Sequence, residues 1–171
     1  MIEKTKNTSS KRKFYQMNQD ANIVVIPREE AVFWLDSEGW WRNDGGRFRK
    51  KKIIDYFHSH INRDENGYFV LQDKGGIWEK VYFPYEDTAL FAFDIRQENS
   101  EIWLVLNTGR EIRLDPEMVY IQNDRLYTIN NDERIRFAER AMIRMSALME
   151  EDENDRLQIC VAGRKHVIKE K

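Results

Sequence analysis

Arg47, Arg49, Lys50, Lys51 and Lys52 crowd five cations into a six-residue stretch just after Gly45-Gly46. They open a segment whose apolar residues fall at helical spacing. The start of a helix presents free backbone N–H groups and the positive end of its dipole. Added cations are unfavourable there unless an anion is held between them and the N–H groups. The spacing is not a phosphate-loop signature, since no G-x-x-x-x-G-K-[ST] run occurs. A solvated basic turn accounts for the same residues. Arg47, Arg49, Lys50 and Lys51 are therefore the expected contacts of a small anionic ligand or an acidic partner.

Other chemistry-bearing residues are sparse, with three histidines and one cysteine. His58 and His60 are two positions apart on a predicted helix. At about 100° per residue they point roughly 200° apart and cannot share a metal ion. Both, and His166, are expected at the surface or its boundary. Cys160 lies in an apolar run and is expected as a small buried hydrophobe. His166 could approach it across a hairpin, but no acidic third member accompanies the pair. A single cysteine excludes an internal disulfide framework and a multi-cysteine zinc site.

Residues 62–73 carry Asn62, Asp64, Asn66, Gly67 and Asp73 at the first, third, fifth, sixth and twelfth positions of a calcium loop. The leading Asn removes a charge, the closing Asp is too short for a bidentate contact, and a strand follows in place of a second helix. A tight helix-to-strand turn explains these residues better. Glu150, Glu151, Asp152, Glu153 and Asp155 read as a solvated acidic loop. No metal and no cofactor is expected.

The chain has 171 residues, 28 Lys+Arg against 30 Asp+Glu, and a net charge of −2. That bounds it to one domain, or two small ones sharing a core. No bulk positive charge calls for a nucleic-acid partner. No apolar run approaches the ~20 residues of a membrane span. The first residues lack the apolar stretch of a signal peptide, so a cytoplasmic setting without a membrane partner is expected.

Residues 1–20 read as a flexible basic tail. Strands are predicted over 23–26, 32–36, 40–41, 68–72, 77–83 and 88–95, each bounded by turn residues. Ile53, Ile54, Phe57 and Ile61 predict one apolar helix face over 50–61. Residues 62–67 read as a loop. Further on, 101–106 with 110–114, and 118–121 with 126–129, read as hairpins. Asn131 or Asp132 can cap a helix running to about Glu150. Residues 157–161 and 166–168 form a closing hairpin. Trp34, Trp40, Trp41, Trp78 and Trp103 all fall in predicted strands, where alternate rings enter the core. The expected fold class is α+β. It would comprise two repeated strand-strand-helix-strand units with antiparallel sheets, an N-terminal half over 21–97 and a C-terminal half over 98–171.

Several stretches together resemble a bacterial family known as domain of unknown function 1285. They are Asp36-x-x-Gly39-Trp40-Trp41, Ile53-Ile54-x-x-Phe57, Arg63-Asp64-x-x-Gly67-Tyr68-x-Val70, Glu79-Lys80-Val81 and Glu86-Asp87-x-Ala89-x-Phe91. Asp115-Pro116 and the C-terminal helix extend the likeness over about residues 32–168. The chain departs from the family at Gly45-Gly46-Arg47-Phe48, where a proline is usual, and at Gly76-Ile77-Trp78, where Thr-Pro is usual. The resemblance implies a two-part α+β protein with a ligand-binding or signal-transduction role. It supplies no catalytic residues.

The expected function is thus a non-enzymatic binding module for a small anionic ligand or a partner protein. One alternative is a metal-dependent hydrolase using Asp64, Glu86 and Asp87. Another is a structural or oligomerisation role through strand edges and tryptophan faces. A concave site is expected at the junction between the halves.

Overall fold

The computed structural model describes residues 23–171; the basic tail expected over residues 1–20 lies outside the described residues. The β-branched run of β1 (Ile23–Ile26) pairs in parallel with β7 (Trp78–Tyr82). β7 lies antiparallel to β6 (Gly67–Asp73), and β6 to β5 (Ile61–Asp64), completing a four-stranded N-terminal sheet. β2 (Phe33–Leu35), β3 (Trp41–Asn43) and β4 (Gly46–Arg47) form a small antiparallel meander. α1 (Lys51–Ser59) follows it.

The large sheet has seven strands. Its members are β8 (Leu90–Glu98), β9 (Glu101–Leu106), β10 (Glu111–Arg113), β11 (Tyr120–Gln122), β12 (Arg125–Asn130), β13 (Glu133–Phe137) and β17 (Lys169–Glu170). They run in the order β10-β9-β8-β13-β12-β11-β17. α2 (Glu139–Ser146) leads into an antiparallel sheet of β14 (Met149–Glu151), β15 (Leu157–Val161) and β16 (Arg164–Val167).

The α+β class holds. The expectation of purely antiparallel sheets does not, because β1–β7, β8–β13 and β11–β17 are parallel. A hairpin pairs only neighbours in sequence, whereas these strands meet through long crossovers that local turn signals do not reveal. Residues 62–67 are not a loop either: β5 and β6 form a hairpin in which Ile61 opposes Val70 and Asp64 opposes Gly67. Asn62 therefore sits opposite Phe69, and Asp73 opposite Trp78, so the calcium-loop positions are strung along two ladders.

The second helix starts later than expected. Asn131 and Asp132 take positive φ, 47° and 62°, and turn β12 back onto β13. Such turns match the twist of a two-residue hairpin and suit Asn and Asp. Ile135 and Phe137 then bury at the strand period of two, and the helix begins only at Glu139.

The main apolar core draws on both sides of the expected 97/98 division, and Phe69, Leu71 and Tyr82 form a second, smaller cluster. Leu35, Trp41 and Phe83 pack in the same cluster as Phe91, Leu104, Ile135, Met145 and Ile159. Leu90, Phe91 and Ala92 of β8 are fully buried, as a central strand requires. The buried face of α1 carries Phe57, whose ring meets Phe33 edge-on at 4.7 Å and Trp41 at 5.3 Å. Ile53 is exposed rather than on that face, and Ile61 belongs to β5.

Candidate functional site

A cleft of about 450 Å³ opens between the β5–β6 hairpin and the large sheet. Its N-terminal wall carries Ser59 from the end of α1, Asn62, Arg63 and Asp64 of β5, and Tyr68 of β6. The opposite wall carries Thr108 and Arg110 from the β9–β10 turn, and Asn131 and Glu133 around the β12–β13 turn. Strand β5 places Arg63 and Asp64 on opposite faces, and the two do different work.

Asp64 points into the N-terminal sheet. Its Oδ2 accepts from Lys80 Nζ and from Tyr82 Oη at 2.7 Å, and its Oδ1 from the Asn66 N–H at 2.9 Å. Burial pushes its carboxyl upward, but the hydrogen bonds from Lys80, Tyr82 and the Asn66 backbone outweigh that and hold it below the usual range. Arg63 instead reaches across the cleft and donates to both Asp132 oxygens, at 3.1 and 3.0 Å. Arg110 donates from Nη2 to Glu133 Oε2 at 2.7 Å, and the Tyr68 hydroxyl lies 3.4 Å from Glu133 Oε1. Burial and the nearby Glu133 carboxylate push the Tyr68 phenol upward, so it remains a donor. The Arg110 Nε is buried without a hydrogen-bond partner.

Ser59 and His60 look at first like a nucleophile and its base, with Oγ and Nδ1 3.0 Å apart. Yet His60 Nδ1 also lies 2.7 Å from the Tyr56 carbonyl oxygen, which can only accept. The proton is on Nδ1, and Ser59 Oγ itself donates to the same carbonyl. That geometry cannot activate the serine.

A second polar cluster joins the Asp36 turn to the large sheet. Asp36 Oδ1 accepts from the N–H groups of Glu38 and Trp40 at 3.0 and 2.9 Å, and Oδ2 from Arg42 Nε at 2.5 Å. Arg136 donates to the Ser37 carbonyl and to both Glu38 oxygens. Asp87 lies 3.6 Å from Arg136 and 3.3 Å from Arg134, and accepts from Tyr127 at 2.8 Å. The carboxylates here are all paired with neighbouring arginines, N–H groups or a tyrosine, while the Nε atoms of Arg134 and Arg136 are buried without a partner; the cluster ties the Asp36 turn to the large sheet.

Of the predicted ligand contacts, Arg47 lies on β4 with its guanidinium 3.4 Å above the ring of Trp40. Arg49 and Lys50 lie between β4 and α1, and Lys51 opens α1 with Nζ 2.5 Å from Asp55. All four are exposed along one stretch and none lines the cleft. Trp40 itself lies between strands rather than in one, and is exposed while Trp41 is buried.

Asp64, Glu86 and Asp87 do not assemble. Asp64 is held by Lys80, Glu86 accepts from the Ser37 N–H, and Asp87 sits among arginines. Among the described residues no three His, Cys, Asp or Glu side chains group to hold a metal ion.

Cys160 is exposed, not buried; it opposes Lys165 on β16. His166 opposes Ile159 and its Nδ1 is 2.5 Å from Glu117, so no Cys–His pair forms. His58 is buried rather than at the boundary. Glu150 and Glu151 belong to β14, and Lys165 pairs with Glu150 at 2.6 Å, so the acidic run is partly a paired strand. Sequence reading passed over Arg110 and Glu133. The Asn-Asp pair between alternating apolar strands was the available signal for Glu133, and its use as a helix cap hid it.

An α+β protein with four sheets and a polar cleft between the β5–β6 hairpin and the seven-stranded sheet is the class defined by this arrangement. In fold the chain resembles a DUF1285 family protein from Silicibacter pomeroyi, with a TM-score of 0.58 at 13% identity over 86% of this chain and 84% of that one. A DUF1285 family protein from Shewanella baltica aligns with a TM-score of 0.45 at 16% identity, over 63% of this chain and 84% of that one. No family model and no curated protein matches the chain. The likeness is one of fold. Among the described residues no helix is long and apolar enough to cross a membrane.

Proposed function

We propose that this protein is a non-enzymatic binding module whose ligand, a small anionic molecule, sits in the cleft between the two sheets. The carrying observation is convergence: Arg63, Tyr68, Thr108, Arg110 and Glu133 come from separate stretches of the chain and line one cavity of about 450 Å³. That volume is within the ~300–1,000 Å³ usual for small-molecule sites. Arg63 and Arg110 supply charge and fork geometry for an anion. Asn62, Thr108 and Ser59 offer neutral hydrogen-bonding groups that orient it. The side chains lack a nucleophile–base pair, which supports binding rather than turnover. A signalling role, in which ligand occupancy alters the seating of one sheet on the other, fits a cleft bridged by the Arg63–Asp132 ion pair and the Tyr68–Glu133 contact.

A second reading keeps Arg47, Arg49, Lys50 and Lys51 as contacts for an acidic partner protein. The observation favouring it is their exposure beside Trp40, with Arg47, Arg49 and Lys50 free of ion pairs among the described residues. A thermal-shift screen with nucleotides, phosphorylated metabolites and carboxylates separates the two. A ligand at 100 times its Kd adds ~2.7 kcal/mol, or roughly 5–10 °C in Tm. The cleft reading expects a shift that is lost in Arg110→Gln and kept in the Arg47→Glu/Arg49→Glu double variant. The reverse pattern assigns the ligand to the basic strip.

A further inference from the structure

Resting on the reading of the cleft as a ligand site, the chemistry of its two arginines points to a narrower class of ligand. The carboxylate partners of Arg63 and Arg110 are Asp132 and Glu133, successive residues at one β-turn. Arg63 grips Asp132 with both terminal nitrogens, the fork geometry in which a free carboxylate is bound. The Asp132 side chain is 75% exposed, so this pair is weak and exchanges readily with a competitor. Glu133 fills Arg110 from one nitrogen only and meets the Tyr68 hydroxyl at 3.4 Å, at the long end of a hydrogen bond. The Arg110 Nε has no partner. Both arginines line or border the same cavity.

We infer that Asp132 and Glu133 stand in for the ligand in this cleft, and that the ligand is a compact dicarboxylate that displaces them from Arg63 and Arg110. Two carboxylates from adjacent residues serve the two arginines, and a small molecule with two carboxylates carries the same pair of groups. Each arginine holds its own planar carboxylate. Release of Asp132 and Glu133 frees the β12–β13 turn from β5, which couples occupancy to the contact between the two sheets.

The test is calorimetric titration of the full chain with glutarate, inorganic phosphate and glucose as probes. Glutarate is expected to bind the wild type, to bind Asp132→Asn and Asp132→Asn/Glu133→Gln about 3- to 5-fold more tightly, and to be lost in Arg110→Gln. Asn suits a positive φ, so Asp132→Asn keeps the turn and carries the test if the double variant fails to fold. Unchanged or weaker glutarate affinity in a folded Asp132→Asn overturns the stand-in. Phosphate binding as tightly as glutarate overturns the dicarboxylate class. Glucose binding with Arg110-dependence, and no glutarate binding, overturns the inference while leaving the cleft as a ligand site. No binding by any probe, with ligands found at the basic strip instead, overturns both.

Discussion

His58 is 4% exposed between Trp41 and Phe93, and its Nδ1 accepts from Asn107 Nδ2 at 3.3 Å. Burial pushes its imidazole down to about 4, with Asp55 opposing only in part. Between pH 6.5 and about 4 the unfolded chain therefore holds a proton that the folded chain lacks. Stability falls as pH falls through that window, by on the order of 3 kcal/mol in all. Urea midpoints at pH 7 and pH 4.5 should show the drop, and His58→Gln should flatten it; an equal drop in the variant would assign the loss elsewhere. Asp64 adds its own loss at more acid pH: because its carboxyl is held below the usual range, its contribution fades as pH falls through that range and is gone below the lower folded value. Gly39 gives a second residue-scale prediction. Its φ is +80°, and a Cβ there would meet the buried Phe91 ring at 3.0–3.2 Å. Gly39→Ala should cost about 2 kcal/mol or more, read as a lowered melting temperature, because neither the backbone nor a core ring can give way cheaply.

Among the elements, the joint between the Asp36 turn and the large sheet has the most at stake. Arg136 is 7% exposed and carries Glu38, the Ser37 carbonyl and, with Arg134, Asp87. Removing one partner of a buried ionic group leaves the rest uncompensated. Arg136→Gln should lower stability by about 3 kcal/mol in a urea titration. A loss within the ~1 kcal/mol of a surface pair would mean that the turn is held mainly by its other ties, the Leu35–Pro84 and Glu86–Leu35 backbone bonds and the Ser37–Glu86 and Arg125–Glu38 contacts. This joint was half legible in the sequence. Asp36-x-x-Gly39 announced a turn, and the strongly apolar β8 announced a buried central strand. Arg134 and Arg136 are hidden because the same stretch, Glu133–Phe137, also fits the first turns of a capped helix. Their alternation with Ile135 and Phe137 is a strand signal, masked by the helix-capping chemistry that Asn131 and Asp132 also carry. The cleft suffered the same way: its β5 wall was visible as Arg63-Asp64 before Gly67, while its opposite wall depends on a parallel β8–β13 pairing that no local pattern encodes.

The main core draws on residues from both sides of the expected division at 97/98, which falls at the end of β8, just before the Asn99-Ser100 turn into β9. β8 finds both neighbours, β9 and β13, in the C-terminal half. A fragment of residues 23–97 would expose Leu90, Phe91 and Ala92 and is expected to lack a cooperative melt by circular dichroism. The full chain should unfold in one transition, with tryptophan fluorescence and circular dichroism coincident. A folded fragment would show that the halves are independent units. The same shared core makes the cleft a joint property of both halves, so the proposed ligand would sense how they are seated. Amide resonance mapping during a titration with small carboxylates and phosphates tests this account most directly. The account predicts perturbations that cluster at residues 59–64, 108–110 and 131–133 and vanish in Arg110→Gln. Perturbations confined to residues 47–52, or a spectrum unmoved by every anion, would contradict it.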